Sequence, residues 1–250
     1  MSGDPRAAAL RALHHGRAAD DPLVLPGPWD VASARVFEAA GFPALATPSA
    51  GIAAALGHED GATPADEMFA AVTRIARSVS VPVTTDLEGG YGLPAAELVE
   101  RVRESGAVGV NLEDTGPDRA LKDPRAHAEW LAEVRAAAGP ELLVNARVDV
   151  YLRGVPGPAE AAATRALLYA EAGADCVYPI GAPPADLPVL RAALGDLPLN
   201  VLAVPGGPSF AELGRLGATR ITFGDGLLLR ALDDLSSLAS KLRDGGAPTA

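Results

Sequence analysis

The feature that most constrains the fold is a junction that recurs along the chain, where a helical segment ends at a glycine and an apolar segment follows within a few residues. The clearest copies are EAAGFPAL, ESGAVGV, EAGADCV and RLGATRI, centred on Gly41, Gly106, Gly173 and Gly217. Glycine commonly follows the last residue of a helix because it adopts the left-handed conformation without strain. Helices that alternate with apolar strands through short connections favour a parallel sheet.

Eight apolar segments of this kind can be assigned as strands. They are Leu23–Pro26, Ala44–Thr47, Val81–Thr85, Val108–Leu112, Leu142–Arg147, Cys176–Pro179, Leu199–Val204 and Arg220–Phe223. Eight strand–helix units in 250 residues predict an α/β fold, a (β/α)8 TIM-type barrel, with residues 1–250 forming a single domain. A doubly wound open sheet is the alternative, but no G-x-G-x-x-G motif opens a helix after the first strand.

The segments around these strands complete the assignment. The leading region, residues 1–20, carries a helix predicted over Pro5–Arg17, and Asp30 is predicted to cap the helix after strand one. Ser49–Gly61 is rich in glycine and ends in acidic residues, so we predict a loop there. Residues 245–250 are expected to form a frayed tail.

Composition limits the class of partner and the location. The net charge of −11 makes nucleic acid and acidic membranes poor partners. The chain has no uninterrupted apolar run of about 18 residues, so we predict no transmembrane helix. The N-terminal residues lack an apolar segment followed by a cleavage site, so we also predict no signal peptide. A single cysteine, Cys176, fits a reducing compartment. These features predict a cytoplasmic protein.

Two carboxylates follow the third predicted strand, in the sequence TTDLEGGYG. Asp86 and Glu88 are two positions apart, and strand residues at that spacing share a face. Two acids on one face repel each other unless a cation lies between them. Oxygen ligands of this kind are those that hard divalent metals prefer.

Polar side chains also follow the neighbouring strands, and in a barrel of this type the active site lies at that end of the strands. They are Ser49, Gly51 and Asp60 after strand two, Glu113 and Asp114 after strand four, and Arg147 and Asp149 after strand five. Arginine is suited to clamp a substrate carboxylate or phosphate. The acids around it are predicted to hold Mg²⁺ through direct and water-mediated contacts.

The remaining titratable residues receive simpler interpretations. Cys176 lies in an apolar strand and is predicted to belong to the core. His14 and His15 are expected at the surface of the leading helix, and His127 on the exposed face of a later helix. His58, beside Asp60, stays a candidate for a catalytic role.

Four motifs together resemble the isocitrate lyase/phosphoenolpyruvate mutase superfamily. They are SAGIAAALGHEDG at Ser49–Gly61, TTDLEGGYG at Thr84–Gly92, GVNLEDT at Gly109–Thr115 and NARVDVY at Asn145–Tyr151. The resemblance implies a (β/α)8 barrel and a homo-oligomer, a dimer or tetramer, in which the last helix is swapped between subunits. It also implies a Mg²⁺ cofactor, with Mn²⁺ as a substitute, and a small α-keto or dicarboxylic acid as the bound partner.

The resemblance further implies a role for each matching residue. Asp86 is the direct metal ligand, and water molecules link the metal to Glu88, Asp60 and Glu113. Arg147 binds the substrate carboxylate or the developing enolate, so Arg147, Asp60 and Glu113 are the expected catalytic residues. The other substrate contacts are the backbone N–H groups of Ser49, Ala50 and Gly51, and Arg230, which matches an arginine of the methylisocitrate lyases.

The chain also departs from its apparent relatives. The isocitrate and methylisocitrate lyases carry a gating loop with lysine, cysteine and histidine after strand four, whereas Thr115–Trp130 contains no cysteine and no such motif. Ile180 stands where those enzymes place a glutamate after strand six. A catalytic thiol is therefore absent, and the candidate general acids are Tyr91, His58 and a metal-bound water.

These observations predict a Mg²⁺-dependent enzyme that acts on a small 2-oxo or 2-hydroxy acid through an enolate. Cleavage of a C–C bond is the first expectation, by decarboxylation of an oxaloacetate-like acid, retro-aldol lysis, or hydrolysis of an acylpyruvate-type substrate. A P–C bond enzyme of the phosphonopyruvate mutase or hydrolase type is the alternative in another reaction class. A non-catalytic protein that binds keto acids is the third hypothesis.

Overall fold

The computed structural model describes residues 4–247 and contains ten α-helices and eight parallel strands in that range. The strands are β1 Leu23–Val24, β2 Leu45–Thr47, β3 Val83–Asp86, β4 Gly109–Glu113, β5 Leu143–Val148, β6 Cys176–Pro179, β7 Asn200–Leu202 and β8 Arg220–Thr222. The helices are α1 Pro5–Ala12, α2 Val31–Ala39, α3 Ser49–Leu56, α4 Ala65–Ala76, α5 Ala95–Ser105, α6 Pro124–Ala138, α7 Pro158–Glu171, α8 Leu187–Leu194, α9 Phe210–Arg215 and α10 Gly226–Arg243. The predicted alternation of strand and helix is confirmed.

The strands form two parallel sheets, one with the order β2-β3-β4-β5-β6 and one with the order β1-β8-β7. Backbone hydrogen bonds connect the two sheets on both sides. The N–H of Ala46 donates to the carbonyl of Pro26 at 3.0 Å, and the N–H of Val177 donates to the carbonyl of Pro198 at 3.0 Å. Val177 and Leu199 also form an isolated parallel bridge. The sheet is therefore strongly curled, with a hydrogen bond at each junction between its two parts.

Helix α1 packs across the end of the sheet where the strands begin. Its buried side chains, Ala7 and Leu10, belong to an apolar cluster with Ala44, Val108 and Leu143, which lie at or just before the starts of β2, β4 and β5. This contact buries the N-terminal edge of the strands. The loops that build the site lie at the opposite edge, where the carboxylates follow the strands.

The helix boundaries follow local capping chemistry. Asp30 accepts a hydrogen bond from the backbone N–H of Ser33 at 2.7 Å, so the predicted N-cap of α2 is confirmed. Asp123 caps α6 in the same manner, accepting from Arg125 and Ala126. Within residues 4–247, no helix combines the length and apolar character needed to cross a membrane.

Two local predictions were wrong. Ser49–Leu56 forms α3 although Ser49–Gly61 was predicted to be a loop, because Ile52 and Ala53 gain full burial in the helical conformation. Glycine at position 51 lets the first turn of α3 lie close to the Pro48 ring, because a Cβ there would lie 2.8 Å from that ring. The leading helix ends at Ala12, five residues earlier than predicted. Of the predicted tail, residues 248–250 lie outside the described part of the chain.

The interior below the site is polar. Arg220 on β8 is fully buried, and its Nη2 donates to Asn111 Oδ1 at 3.3 Å. Asn145 Nδ2 donates to the same oxygen at 2.8 Å. His14, predicted to lie at the surface, is buried as well, because it lies just after α1, which packs across the start of the strands. Its Nδ1 lies 2.8 Å from the Leu10 carbonyl oxygen. Polar groups therefore replace aliphatic packing along this part of the interior.

Candidate active site

A cavity of about 940 Å³ opens at the carboxyl ends of β3, β4 and β5. Predicted site residues that line it are Ser49, Asp60, Glu88, Glu113 and Arg147, together with Tyr91. Asp86 lies directly beneath, buried to 8 % exposure. Parallel strands bring the residues that follow them to one edge of a sheet, so motifs far apart in the sequence meet in one place.

Arg147, the last inward-facing residue of β5, is the centre of the site. Its Nη1 lies 2.8 Å from Glu113 Oε2 and 3.4 Å from Asp86 Oδ2. Asp149 accepts two hydrogen bonds from the same guanidinium, from Nε at 2.8 Å and from Nη2 at 3.1 Å. Burial acts to lower the pKa of Arg147, but these carboxylates outweigh it and the pKa is raised. The guanidinium is thus permanently charged and fixed in orientation.

A second layer of hydrogen bonds holds Asp149 in place. Asp114 is fully buried and accepts from the backbone N–H of Asp149 at 2.8 Å. Two side chains of α7 donate to the other oxygen of Asp114, Tyr169 at 2.8 Å and Arg165 at 2.9 Å. A continuous chain of polar contacts therefore runs from α7 to the guanidinium of Arg147.

The carboxylates near Arg147 are held in an environment that disfavours their charged forms. Burial, and then repulsion from Asp86, raises the pKa of Glu88 to about 7. Burial raises the pKa of Glu113 to about 8, and Asp149 and Asp86 add to the rise against the attraction of Arg147. The pKa of Asp86 is also raised, chiefly by burial. One guanidinium does not neutralise this set, so the cluster favours additional positive charge.

The turn after β3 is backbone-strained. Glu88 and Tyr91 have φ angles of 53° and 56°, a region that residues with a Cβ adopt infrequently. The Tyr91 hydroxyl donates to Glu88 Oε1 at 3.2 Å. At Gly90, a Cβ would lie 2.6 Å from the Trp130 ring. Strain of this kind persists where the surroundings fix a conformation, commonly at functional sites.

The residues are compatible with a Mg²⁺ ion, although they do not preassemble a complete ligand cage. Within the described range, no three His, Cys, Asp or Glu side chains are arranged as ligands around one point. Mg²⁺ typically takes one or two carboxylates and retains several waters, so it does not require such a cage. Oxygen donors with raised pKa values, Asp86, Glu88 and Glu113, would be relieved of repulsion by a divalent cation. The donor set therefore fits the metal.

The outer wall of the cavity contains residues that the sequence reasoning missed. Arg119, Lys122, Trp130 and Arg153 line it. Lys122 Nζ donates to the carbonyls of Gly89 at 3.0 Å and Glu113 at 3.2 Å, and so ties the loop after β4 to the turn after β3. No motif marks these residues. The basic and aromatic character of Thr115–Trp130 indicates Arg119, Lys122 and Trp130, whereas Arg153 lies outside that segment.

Several predicted residues lie elsewhere. Arg230, predicted to bind a substrate carboxylate, does not line the cavity; its exposed side chain pairs with Asp234 on α10 at 2.9 Å. His58 does not line the cavity either; its Nε2 lies 2.9 Å from Glu67 Oε2. The prediction that Cys176 belongs to the core is confirmed.

His127 was expected to be exposed, and that expectation was wrong. It is buried on the inner face of α6, with its ring stacked on Trp130 at 5.6 Å and edge-on to Tyr169 at 5.0 Å between ring centroids. Burial lowers its pKa to about 3, so the imidazole is neutral. It supports the aromatic wall of the cavity.

Comparison with known proteins agrees with this geometry. The family model of phosphoenolpyruvate phosphomutase matches residues 10–243. The chain belongs to this family, within the isocitrate lyase/PEP mutase superfamily. The resemblance inferred from the four sequence motifs is therefore confirmed.

Individual relatives differ in their named activities. The uncharacterized protein Rv1998c of Mycobacterium tuberculosis strain H37Rv is 34 % identical over 85 % of this chain and 80 % of its own length. An oxaloacetate decarboxylase of Rhodopseudomonas palustris strain BisB5 is 30 % identical, with 99 % and 88 % covered. The solved structure of a 2,3-dimethylmalate lyase is 28 % identical with a TM-score of 0.85, covering 100 % of this chain and 91 % of that one. The superfamily thus includes lyases, decarboxylases and mutases.

Proposed function

We propose that this protein is a Mg²⁺-dependent enzyme that cleaves a C–C bond of a small 2-oxo or 2-hydroxy acid through an enolate. The observation that carries the proposal is the guanidinium of Arg147, held among Asp86, Glu113 and Asp149 at the floor of an open cavity. Such a group binds a carboxylate and stabilises negative charge as it develops. The named activities of the decarboxylase and lyase relatives support the same reaction class.

Each residue of the site has a definable task. Asp86 would hold Mg²⁺ directly, and Asp60, Glu88 and Glu113 through water. When bound, the metal supplies Lewis acidity at the carboxylate and keto oxygens of the substrate. Arg147 binds the substrate carboxylate and stabilises the enolate.

The substrate carboxylate has a second set of donors at the start of α3. The backbone N–H groups of Ser49, Ala50 and Gly51 have no acceptor within the helix, because they belong to its first turn. Helix N-termini bind anions for this reason. A general acid is required at the carbon that becomes protonated. The Tyr91 hydroxyl, which lines the cavity and donates to Glu88, is our side-chain candidate.

The same proposal extends to the architecture and the assembly. The hydrogen bonds at both junctions between the sheets support one closed (β/α)8 barrel. Helix α10 exposes five leucines, at 36 % to 57 % relative exposure: Leu229, Leu232, Leu235, Leu238 and Leu242. An apolar face of this size supports a homo-oligomer in which α10 packs against a second copy.

A second candidate reaction is cleavage or rearrangement of a P–C bond. It is favoured by the family description, phosphoenolpyruvate phosphomutase, and by a 38 % identical solved structure from Burkholderia cenocepacia J2315 that is provisionally assigned as a phosphonomutase, with a TM-score of 0.86 over 95 % of this chain and 100 % of that one. Decarboxylation of oxaloacetate and cleavage of the P–C bond of phosphonopyruvate both leave the enolate of pyruvate, so Arg147 would stabilise the same anion in either reaction.

Turnover assays separate these reactions. Purified protein with Mg²⁺ is incubated with oxaloacetate, 2,3-dimethylmalate and phosphonopyruvate, and products are followed by coupled absorbance and by ³¹P NMR. We expect C–C cleavage of at least one acid, lost in Asp86→Asn and kept in Glu129→Gln, which lies on the exposed face of α6. Calorimetric binding without turnover of any acid would contradict the proposed reaction and favour a keto-acid-binding protein.

A further inference from the structure

The outer part of the cavity carries two arginines that the proposed chemistry does not use. Arg119 lies in the loop after β4 and Arg153 in the turn after β5, and both line the cavity. In the described part of the chain, neither guanidinium forms an ion pair with a carboxylate. Two unpaired cations at one cavity are notable in a chain with a net charge of −11, where carboxylates are plentiful.

Arg153 is partly buried and incompletely satisfied. Its Nη1 donates to the backbone carbonyl of Arg119 at 3.3 Å, which places the two residues side by side. Its Nε is buried and has no hydrogen-bond partner. A buried donor without a partner is uncommon, because burial removes water that would otherwise accept from it. A guanidinium that turned toward an acceptor supplied by a ligand would satisfy this group.

The loop that carries Arg119 is held in a defined shape. The N–H of Gly116 donates to the carbonyl of Ala120 at 2.8 Å, and Thr115 and Leu121 form an antiparallel bridge. Arg119 itself has a φ of 63°, a conformation that a residue with a Cβ adopts only when its surroundings impose it. The loop thus places Arg119 at the rim next to Arg153.

We propose that Arg119 and Arg153 bind a second anionic group of the substrate, at the outer end of the cavity. This rests on the proposed function, in which Arg147 and the acid cluster hold the 2-oxo acid end. A planar guanidinium matches the oxygens of a carboxylate or of a phosphonate. The preferred substrates are therefore 2-oxo acids with two anionic ends, and simple monocarboxylates such as pyruvate bind more weakly.

Binding measurements with matched ligands test this assignment. Calorimetry in Mg²⁺ buffer compares pyruvate, freshly dissolved oxaloacetate and phosphonopyruvate against the wild type, Arg153→Gln and Arg119→Gln. We expect the wild type to bind at least one dianionic acid about ten-fold more tightly than pyruvate, and each variant to lose most of that preference while its pyruvate Kd changes less than about two-fold. Arg153→Lys should recover part of the preference. Arg74→Gln, on the exposed face of α4, should match the wild type.

The dianionic ligand that loses more affinity in the variants identifies the group that the two arginines bind. Equal affinity of the wild type for pyruvate and both dianionic acids would overturn the proposal, and so would an equal loss for all three ligands. Thermal unfolding of each variant checks that the fold is kept. If no acid is turned over but the charge preference persists, the proposed reaction fails and this assignment stands. If oxaloacetate is cleaved with the same KM by wild type and Arg153→Gln, the assignment fails and the reaction stands.

Discussion

Glu113→Gln gives the most direct test of the electrostatic reasoning about the site. Burial is the largest cause of the rise in the pKa of Glu113 from its ordinary 4.5 to about 8. Below about pH 4.5 both the folded and the unfolded chain hold this proton. Between about pH 4.5 and 8 the unfolded chain loses it while the folded protein keeps it, so the free energy of unfolding falls as the pH rises, and it levels off above about pH 8. Glutamine removes this loss.

The size of the effect follows from the same values. Each pKa unit corresponds to about 1.36 kcal/mol, so the ionisable carboxyl lowers the free energy of unfolding by up to roughly 5 kcal/mol above pH 8. Asp86 and Asp149 also repel the Glu113 carboxylate. The glutamine variant loses the charge of the ion pair with Arg147, and this loss offsets part of the stabilisation. We therefore expect Glu113→Gln to stabilise the metal-free protein by about 2 kcal/mol at pH 9, and by less than about 1 kcal/mol at pH 5.

Urea denaturation of EDTA-treated protein, followed by circular dichroism at pH 5, 7 and 9, measures this difference. Glu129→Gln, an exposed position on α6, is the matched control and should change stability by less than about 0.5 kcal/mol at every pH. Added Mg²⁺ should stabilise the wild type more than Glu113→Gln. If the variant is less stable than the wild type at pH 9, the 2.8 Å ion pair with Arg147 outweighs burial and repulsion together, and the reasoning for a cation at this site is refuted.

Three further changes test other parts of the structure. Tyr169→Phe removes a hydrogen bond to buried Asp114, so we expect a loss of about 1–2 kcal/mol in urea denaturation and a lower kcat with little change in KM; unchanged kcat would separate α7 from the function of Arg147. Gly90→Ala places a Cβ 2.6 Å from the Trp130 ring at a φ of 86°, and should lower the midpoint of thermal unfolding, whereas an unchanged midpoint would show that the turn adapts. Leu235→Asp on the exposed face of α10 should dissociate the proposed oligomer in size-exclusion chromatography with light scattering, and an unchanged mass would exclude that face from the interface.

Much of the fold could be predicted from the sequence because its signals are local. The glycines that follow most of the helices and the apolar runs that lead into the strands depend only on backbone conformation and burial. The assignment failed where a local signal was overridden by packing. Ser49–Leu56 is helical because Ile52 and Ala53 become buried, and His127 lies inside because the aromatic rings of Trp130 and Tyr169 surround it.

The candidate site likewise has one part that the sequence predicts and another that only the tertiary structure fixes. The sequence by itself determined that acids lie at the ends of β3 and β4 and that an arginine lies near the end of β5, since parallel strands end at one edge of a sheet. Only the structure showed that β3 ends at Asp86 and that Glu88 lies in the turn after it, with a φ of 53°. Only the tertiary structure decided that Arg147 contacts Asp86, 61 residues away, because that contact depends on strand register. It also decided that Arg119 and Arg153 meet at the rim, because two separate loops bring them together and neither loop has a sequence pattern that specifies where its side chains lie.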